Sequence, residues 1–196
     1  MTTAKRIFAK ELSYIQDESV RNFVVWAFNV LCPEYFWVIP ASQRGHHPRK
    51  CQALGGLVMH TKLAVRFGRS FIELWPDPPG TAHDEVIAAL LLHDMFKRGS
   101  SFNELKSFDS HEEAKRRHGL FCAERLRWLY KNDSGLRGLI QKDRFRRIVV
   151  AVRDHMGKWA DGCVQDQINI VSITTHMADY AASRHLDKWL EELEAT

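Results

Sequence analysis

The sequence predicts an all-α protein, a single helical bundle. Apolar residues recur at three- and four-residue intervals, no segment shows a convincing strand pattern, and prolines punctuate the periodic stretches. Residues 4–15 and 18–31 read as helices because Phe8, Leu12, Ile15, Val20, Phe23, Val24, Ala27 and Val30 recur at helical spacing, and Pro33 ends the second. A polar loop runs from Pro40 through Gly45-His46-His47-Pro48 to Lys50. Gly55-Gly56 opens a helix over about 57–75 with His60 in its first turn, and Pro76, Pro78, Pro79 and Gly80 mark the next break. A helix over about 82–96 carries His93-Asp94 near its C-terminal end, and Gly99 to Asp109 is loop. Asp109 or Ser110 is the expected N-cap of the following helix, with Glu112 and Glu113 favourable in its first turn. That helix runs to Tyr130 and holds His118 beside Leu120, Ala123, Leu126 and Leu129. A short helix at 133–141 precedes one at 143–156 ending with His155. A long helix at 165–193 carries Asp179 among Ile168, Ile170, Val171, Ile173, Met177, Ala178 and Ala181.

A chain of 196 residues suffices for one domain with a substantial core, and no flexible linker or repeat divides it. We expect one domain over 1–196, its motif core at about 53–185 and N-terminal helices 1–50 packed on that core. No uncharged run approaches a membrane span, and the first residues lack the pattern of a secretory signal. The four cysteines, Cys32, Cys51, Cys122 and Cys163, form no C-x-x-C pair; reduced thiols and a cytoplasmic location are expected. The net charge of +4 is too small to mark a nucleic-acid binder. Its excess gathers at Lys97-Arg98, Lys115-Arg116-Arg117 and Arg144 to Arg147, either as solvated helix surface or as a positive rim attracting phosphorylated ligands.

The most informative feature is the pair His93-Asp94, which closes the apolar run Val86 to Leu92. An ionisable pair at the end of so apolar a segment needs compensation for lost water, and a bound cation supplies it. His60, His118, His155 and Asp179 each stand at the polar edge of another apolar segment, so a metal site assembled from several helices is expected. Imidazole with carboxylate suits Fe, Mn, Co, Ni or Zn. The two oxygens of Asp94 can bridge a pair of such ions, about 3.5–4 Å apart, which together clamp a phosphoryl group.

Five ordered segments carry a resemblance: Gly55-Gly56-Leu57-Val58-Met59-His60-Thr61, Leu91-Leu92-His93-Asp94-Met95-Phe96-Lys97, His118-Gly119-Leu120-Phe121-Cys122-Ala123, Val152-Arg153-Asp154-His155-Met156-Gly157 and His176-Met177-Ala178-Asp179-Tyr180-Ala181-Ala182-Ser183-Arg184. In this order they resemble the HD-domain superfamily of metal-dependent phosphohydrolases over roughly residues 53–185. The resemblance implies that His60, His93, Asp94 and Asp179 hold one divalent ion, and that Asp94 bridges to a second held by His118 and His155. The segments around His118 and His155 look similar to HD-type dinucleoside tetraphosphate hydrolases. The closing stretch looks more like small HD proteins of bacteria and their phages. The family commonly reads His-Asp-Ile-Gly-Lys; Met95 and Phe96 replace the middle two residues here, while Lys97 keeps its place.

Lys97, one turn after His93, can face the same side and meet a phosphate, and the resemblance implies a place near the scissile phosphate as a catalytic and substrate-binding group; the alternative is a lysine complementing the helix dipole. Arg184 is a second phosphate-binding candidate, with pairing to a nearby carboxylate as the alternative. Trp159 is a candidate to stack on a base, against ordinary packing. Asp154 either orients His155 or has no special role. His111 is the rival to His118; His176 reads as a core or rim histidine, and His46 and His47 as solvated loop, with a place at the site entrance as the alternative. Trp26, Trp128 and Trp189 fit packing positions. The expected function is metal-dependent hydrolysis of a phosphoester or phosphoanhydride in a nucleotide or related phosphorylated small molecule, in the nucleotidase or phosphodiesterase class. A metal-bearing ligand sensor without turnover is the alternative. A nucleic-acid partner is not favoured, no membrane partner is expected, and a homo-oligomer is compatible with this reading.

Overall fold

In a computed structural model of the chain, the described residues are 2–42, 47–75, 80–99, 111–161 and 169–184, without the side chains of His111, Glu112 and Lys115. The expected caps Asp109 and Ser110, together with His46, Cys163, Ile168, His185 and Trp189, lie outside them. The helices are α1 (Thr3–Ile7), α2 (Ala9–Ser13), α3 (Glu18–Leu31), α4 (Gly56–Ile72), α5 (Ala82–Leu92), α6 (His111–Asn132), α7 (Ser134–Leu139), α8 (Lys142–Asp154) and α9 (Ile170–Ala182). Short 3-10 turns cover Glu34–Trp37, Arg49–Gln52 and Gly157–Trp159. No strand occurs among the described residues, so the fold is the all-α bundle that the periodicity predicts.

At the centre lies α5, where every residue from Ala82 to Leu92 except His83 is buried. A helix apolar on nearly all sides has to be surrounded. Helices α3, α4, α8 and α9 surround this one, while α4 also packs along α9 and α6 along α8. Ile87, Leu90 and Leu92 are wholly excluded from solvent, and each stabilises the core by about 1.5–3 kcal/mol. The start of α4 is fixed by a close approach. A Cβ on Gly56 would lie 2.1 Å from the Cys51 carbonyl oxygen, so only glycine lets the 49–52 turn pack there.

Two expectations are corrected by packing. The predicted helix 4–15 breaks at Phe8, whose ring is buried beside Phe28, Phe36 and Trp37 at centroid spacings of 5.2, 6.3 and 6.0 Å. The helix predicted to end at 193 closes at Ala182, where the Ser183 N–H bonds back to the Asp179 carbonyl at 3.0 Å. Trp128 is not a packing residue: it is 58% exposed, off the seam formed by Cys122, Ala123 and Leu126, with the Arg125 guanidinium 6.0 Å from its ring centre.

Part of the basic excess is structural. Glu85, buried in the first turn of α5, accepts from Arg147 at 2.6 and 2.7 Å and from Arg144 at 3.3 Å. Arg144 also reaches Asp17, the N-cap of α3, while Asp84 accepts the Gln16 and Asp17 backbone N–H groups at 2.9 and 2.8 Å. Buried charges persist only when paired in this way. Arg144 and Arg147 therefore tie α8 to α5 and α3; Arg144 is buried in these pairs, while Arg147 keeps part of its side chain in solvent. Cys32, Cys51 and Cys122 form no disulfide, and no helix among the described residues is long and apolar enough to cross a membrane.

Candidate metal centre

Five helices deliver six ionisable side chains to one place. His60 projects from the first turns of α4, His93 caps the C-terminus of α5 with Asp94 next to it, His118 comes from α6, His155 caps the C-terminus of α8, and Asp179 lies on α9. All six are buried, the four imidazoles almost completely. His60 Nε2 lies 3.2 Å from His93 Nε2 and 3.0 Å from Asp179 Oδ1, and Asp179 Oδ1 is 3.4 Å from His93 Nε2. On the other side, His118 Nε2 lies 2.9 Å from His155 Nε2. Asp94 stands between: Oδ2 is 3.6 Å from both His60 and His93, while Oδ1 is 2.9 Å from His118 and 3.7 Å from His155. Two triads, His60/His93/Asp94 and Asp94/His118/His155, therefore share one carboxylate.

The outer contacts of the imidazoles fix which nitrogen each presents to the centre. His93 Nδ1 is 2.6 Å from the Leu90 carbonyl, His118 Nδ1 3.0 Å from that of Ala114, and His155 Nδ1 2.7 Å from that of Val152. A carbonyl only accepts, so each Nδ1 carries the proton and, in the neutral ring, each Nε2 presents a bare lone pair. The lone pairs of His118 and His155 thus face each other at 2.9 Å, with a carboxylate oxygen equally close to the first. Acceptors converging in a dry site repel unless a proton or a cation sits among them. Two nitrogens bound to one ion at about 2.0–2.1 Å stand roughly 2.9–3.4 Å apart at ordinary coordination angles, the spacing of both imidazole pairs. Anchoring of Nδ1 on a carbonyl is also the usual outer contact of a ligating histidine. These buried His/Asp groups could therefore hold a metal ion.

Electrostatics agree with that capacity. Burial alone would raise the Asp94 carboxyl, but Lys97, His93 and His118 outweigh it and hold it well below the usual carboxylate range. Asp179 is likewise held low against its burial, by His60 and His93. Burial works to lower His93, and the charges of Asp94 and Asp179 reverse it, so this ring is raised. His155, further from the acids, is pushed down to about 3 by burial and by the neighbouring His118 and His93. Two carboxylates stay ionised among imidazoles of which one strongly resists protonation, the charge balance that suits a cation.

The seam between α6 and α8 depends on Gly119. A Cβ there would lie 2.9 Å from the carbonyl oxygens of Val152 and Arg153 and from His155 Cε1, so the missing side chain is what brings His118 to His155. Lys97, partly exposed, places Nζ 2.5 Å from Asp94 Oδ2. Arg184 lies with its guanidinium 4.0 Å from the Tyr180 ring centre, and Trp159, 44% exposed, is nearly parallel to Tyr180 at 6.4 Å with Lys158 over its face. His176 Nδ1 donates to the His155 carbonyl at 2.6 Å, and Asp154 is engaged by Arg153 at 2.5 and 2.7 Å, away from the His155 ring nitrogens. The expectation of a solvated His47 is corrected: its ring packs against His60 at 5.0 Å, and both ring nitrogens are shut off from solvent. The polar, proline-bearing loop around it gave no sequence signal of this contact. No family model, curated protein or solved structure matches this chain.

Proposed function

We propose that the chain is a metal-dependent phosphohydrolase of the HD type, acting on a phosphoester or phosphoanhydride bond of a nucleotide or a related phosphorylated small molecule. The observation that carries this reading is the convergence of four imidazole Nε2 atoms on the two oxygens of Asp94 in a buried centre. We assign one divalent ion (Fe, Mn, Co, Ni or Zn) to His60, His93, Asp94 and Asp179, and a second to Asp94, His118 and His155. When bound, such a pair of ions acidifies water and neutralises phosphoryl oxygens. Asp94 keeps the two halves in register, because one oxygen faces each. Lys97, held on Asp94 and partly open to solvent, is the cation that an arriving phosphoryl oxygen meets. Arg184 and Trp159, with the exposed Tyr180 face and Lys158, supply charge and ring surface for a second phosphate and a base. Water is the nucleophile in this scheme. The nearby Cys122 thiol is fully buried and raised by burial and the Asp94 charge, so it stays protonated.

Metal analysis of the purified protein, followed by phosphate release from a panel of nucleotides before and after chelation, tests the proposal. Turnover that chelation abolishes and added metal restores is expected. Asp94→Ala should reduce turnover by at least about a thousandfold and lower metal content, with helicity retained. Normal activity in that variant would overturn the mechanism.

A further inference from the structure

Three of the four imidazoles in the centre are braced from behind by a backbone carbonyl on their own helix: His93 on Leu90, His118 on Ala114 and His155 on Val152. His60 is the exception. Its Nδ1 is buried and no hydrogen-bond partner reaches it. The ring that packs on it is His47, at 5.0 Å between centroids and 70° between planes, and both nitrogens of His47 are themselves buried and unpartnered. Three orphan ring nitrogens thus lie on two rings in contact, the only buried imidazole nitrogens without a hydrogen-bond partner among the described residues.

The backbone of His47 is held in place. Its carbonyl accepts from the Gln52 side chain, the Cys51 N–H bonds to the Pro48 carbonyl at 2.8 Å, and the Ala41 N–H bonds to the Cys51 carbonyl at 2.8 Å. Only the side-chain torsions are left to move the ring. Two imidazoles joined by a hydrogen bond have centroids about 5 Å apart, the spacing of these two rings, so a His47 nitrogen turned toward His60 Nδ1 would reach it, with one ring donating and the other accepting. Such a bond fixes the tautomer and the orientation of His60 as the carbonyls fix the other three rings.

We infer that His47 is the positioning residue of His60, accepting its Nδ1–H and so aiming its Nε2 lone pair into the metal centre. This role rests on the metal-site reading above, and its test is separable from it. Cobalt(II) titration, read by the visible ligand-field spectrum, is compared for the wild type, His47→Phe and His47→Gln. The phenylalanine variant keeps a ring of similar size without nitrogens and should bind the first cobalt 10–100-fold more weakly, while glutamine, which can still accept, restores binding to within a few-fold. Nitrogen-15 imidazole spectra of the wild type provide the arm that needs no variant. The His60 Nδ1 proton should exchange slowly and show coupling across the bond to a His47 nitrogen. Unchanged cobalt affinity in His47→Phe, or a His60 Nδ1 proton that exchanges freely in the wild type, would overturn the assignment. A wild type that binds no cobalt would instead defeat the proposed function, and the nitrogen spectra alone would then decide the contact between His47 and His60.

Discussion

Asp94 is the side chain on which both triads depend, and its two oxygens make different demands on their neighbours. Oδ2 is shared by His60, His93 and Lys97, whereas the shortest contact of Oδ1 is His118. Removing His118 should therefore empty one half of the centre and spare the other. We expect His118→Ala to hold about one ion per chain where the wild type holds two, measured by elemental analysis after dialysis. Two tightly bound ions in the variant would show that the second lies elsewhere. The clustering of these six residues was legible in the sequence because each interrupts or ends an apolar segment, where an unpaired charge costs several kcal/mol. His47 was not legible. A histidine in a loop of glycine, proline and basic residues reads the same whether the loop is solvated or folded against a helix, and only the tertiary contact with His60 distinguishes them.

Two of the clustered histidines share a device at the level of elements. His93 and His155 both cap the C-termini of helices, α5 and α8, so the negative ends of two helix dipoles meet at the same centre. Cations are favoured there whatever side chains are present. Periodicity located these helices but not their meeting distance, which a residue without a side chain decides. Because a Cβ at Gly119 would strike two backbone carbonyls and His155, a larger group must push α6 off α8. Gly119→Val should destabilise the chain by about 1–3 kcal/mol in urea unfolding and lower affinity for the second ion more than for the first. Equal loss at both positions, or none, would mean that the α6–α8 seam does not set the His118–His155 spacing. The ends of elements were the least legible part: the break at Phe8 follows from an aromatic cluster whose other members lie far along the chain. The pairing of Arg144 and Arg147 with Glu85 was hidden for the same reason, since a basic run on an amphipathic helix looks like solvated surface until its acidic partner is known.

For the whole molecule, the centre ties stability to pH in a way that a bound cation should alter. His155 and His47 are each pushed down to about 3, chiefly by burial, with neighbouring His118 and His93 acting on the first and His60 and Lys97 on the second. In the unfolded chain both titrate near 6.5, so between about 6.5 and 3 the unfolded state binds protons that the folded state refuses. Stability of the metal-free protein must then fall as pH drops through that window, by up to about 1.4 kcal/mol per pH unit for each group. Asp94 and Asp179, both depressed, contribute stability that is present above the usual carboxylate range and lost at still lower pH. His93 has the opposite sign. Its folded value is raised, so its contribution is complete below 6.5 and disappears as pH rises through that folded value. Urea midpoints measured in chelator should therefore peak near pH 6.5 and decline on both sides. Adding a divalent ion should remove the alkaline decline, because the cation takes over the role of the His93 proton, and should steepen the acid limb, where protons compete for the ligands. A metal-free midpoint that stays level between pH 6.5 and 4.5 would mean that the imidazoles are more open to water than their packing implies. An alkaline limb unaffected by metal would mean that the cation does not bind among them.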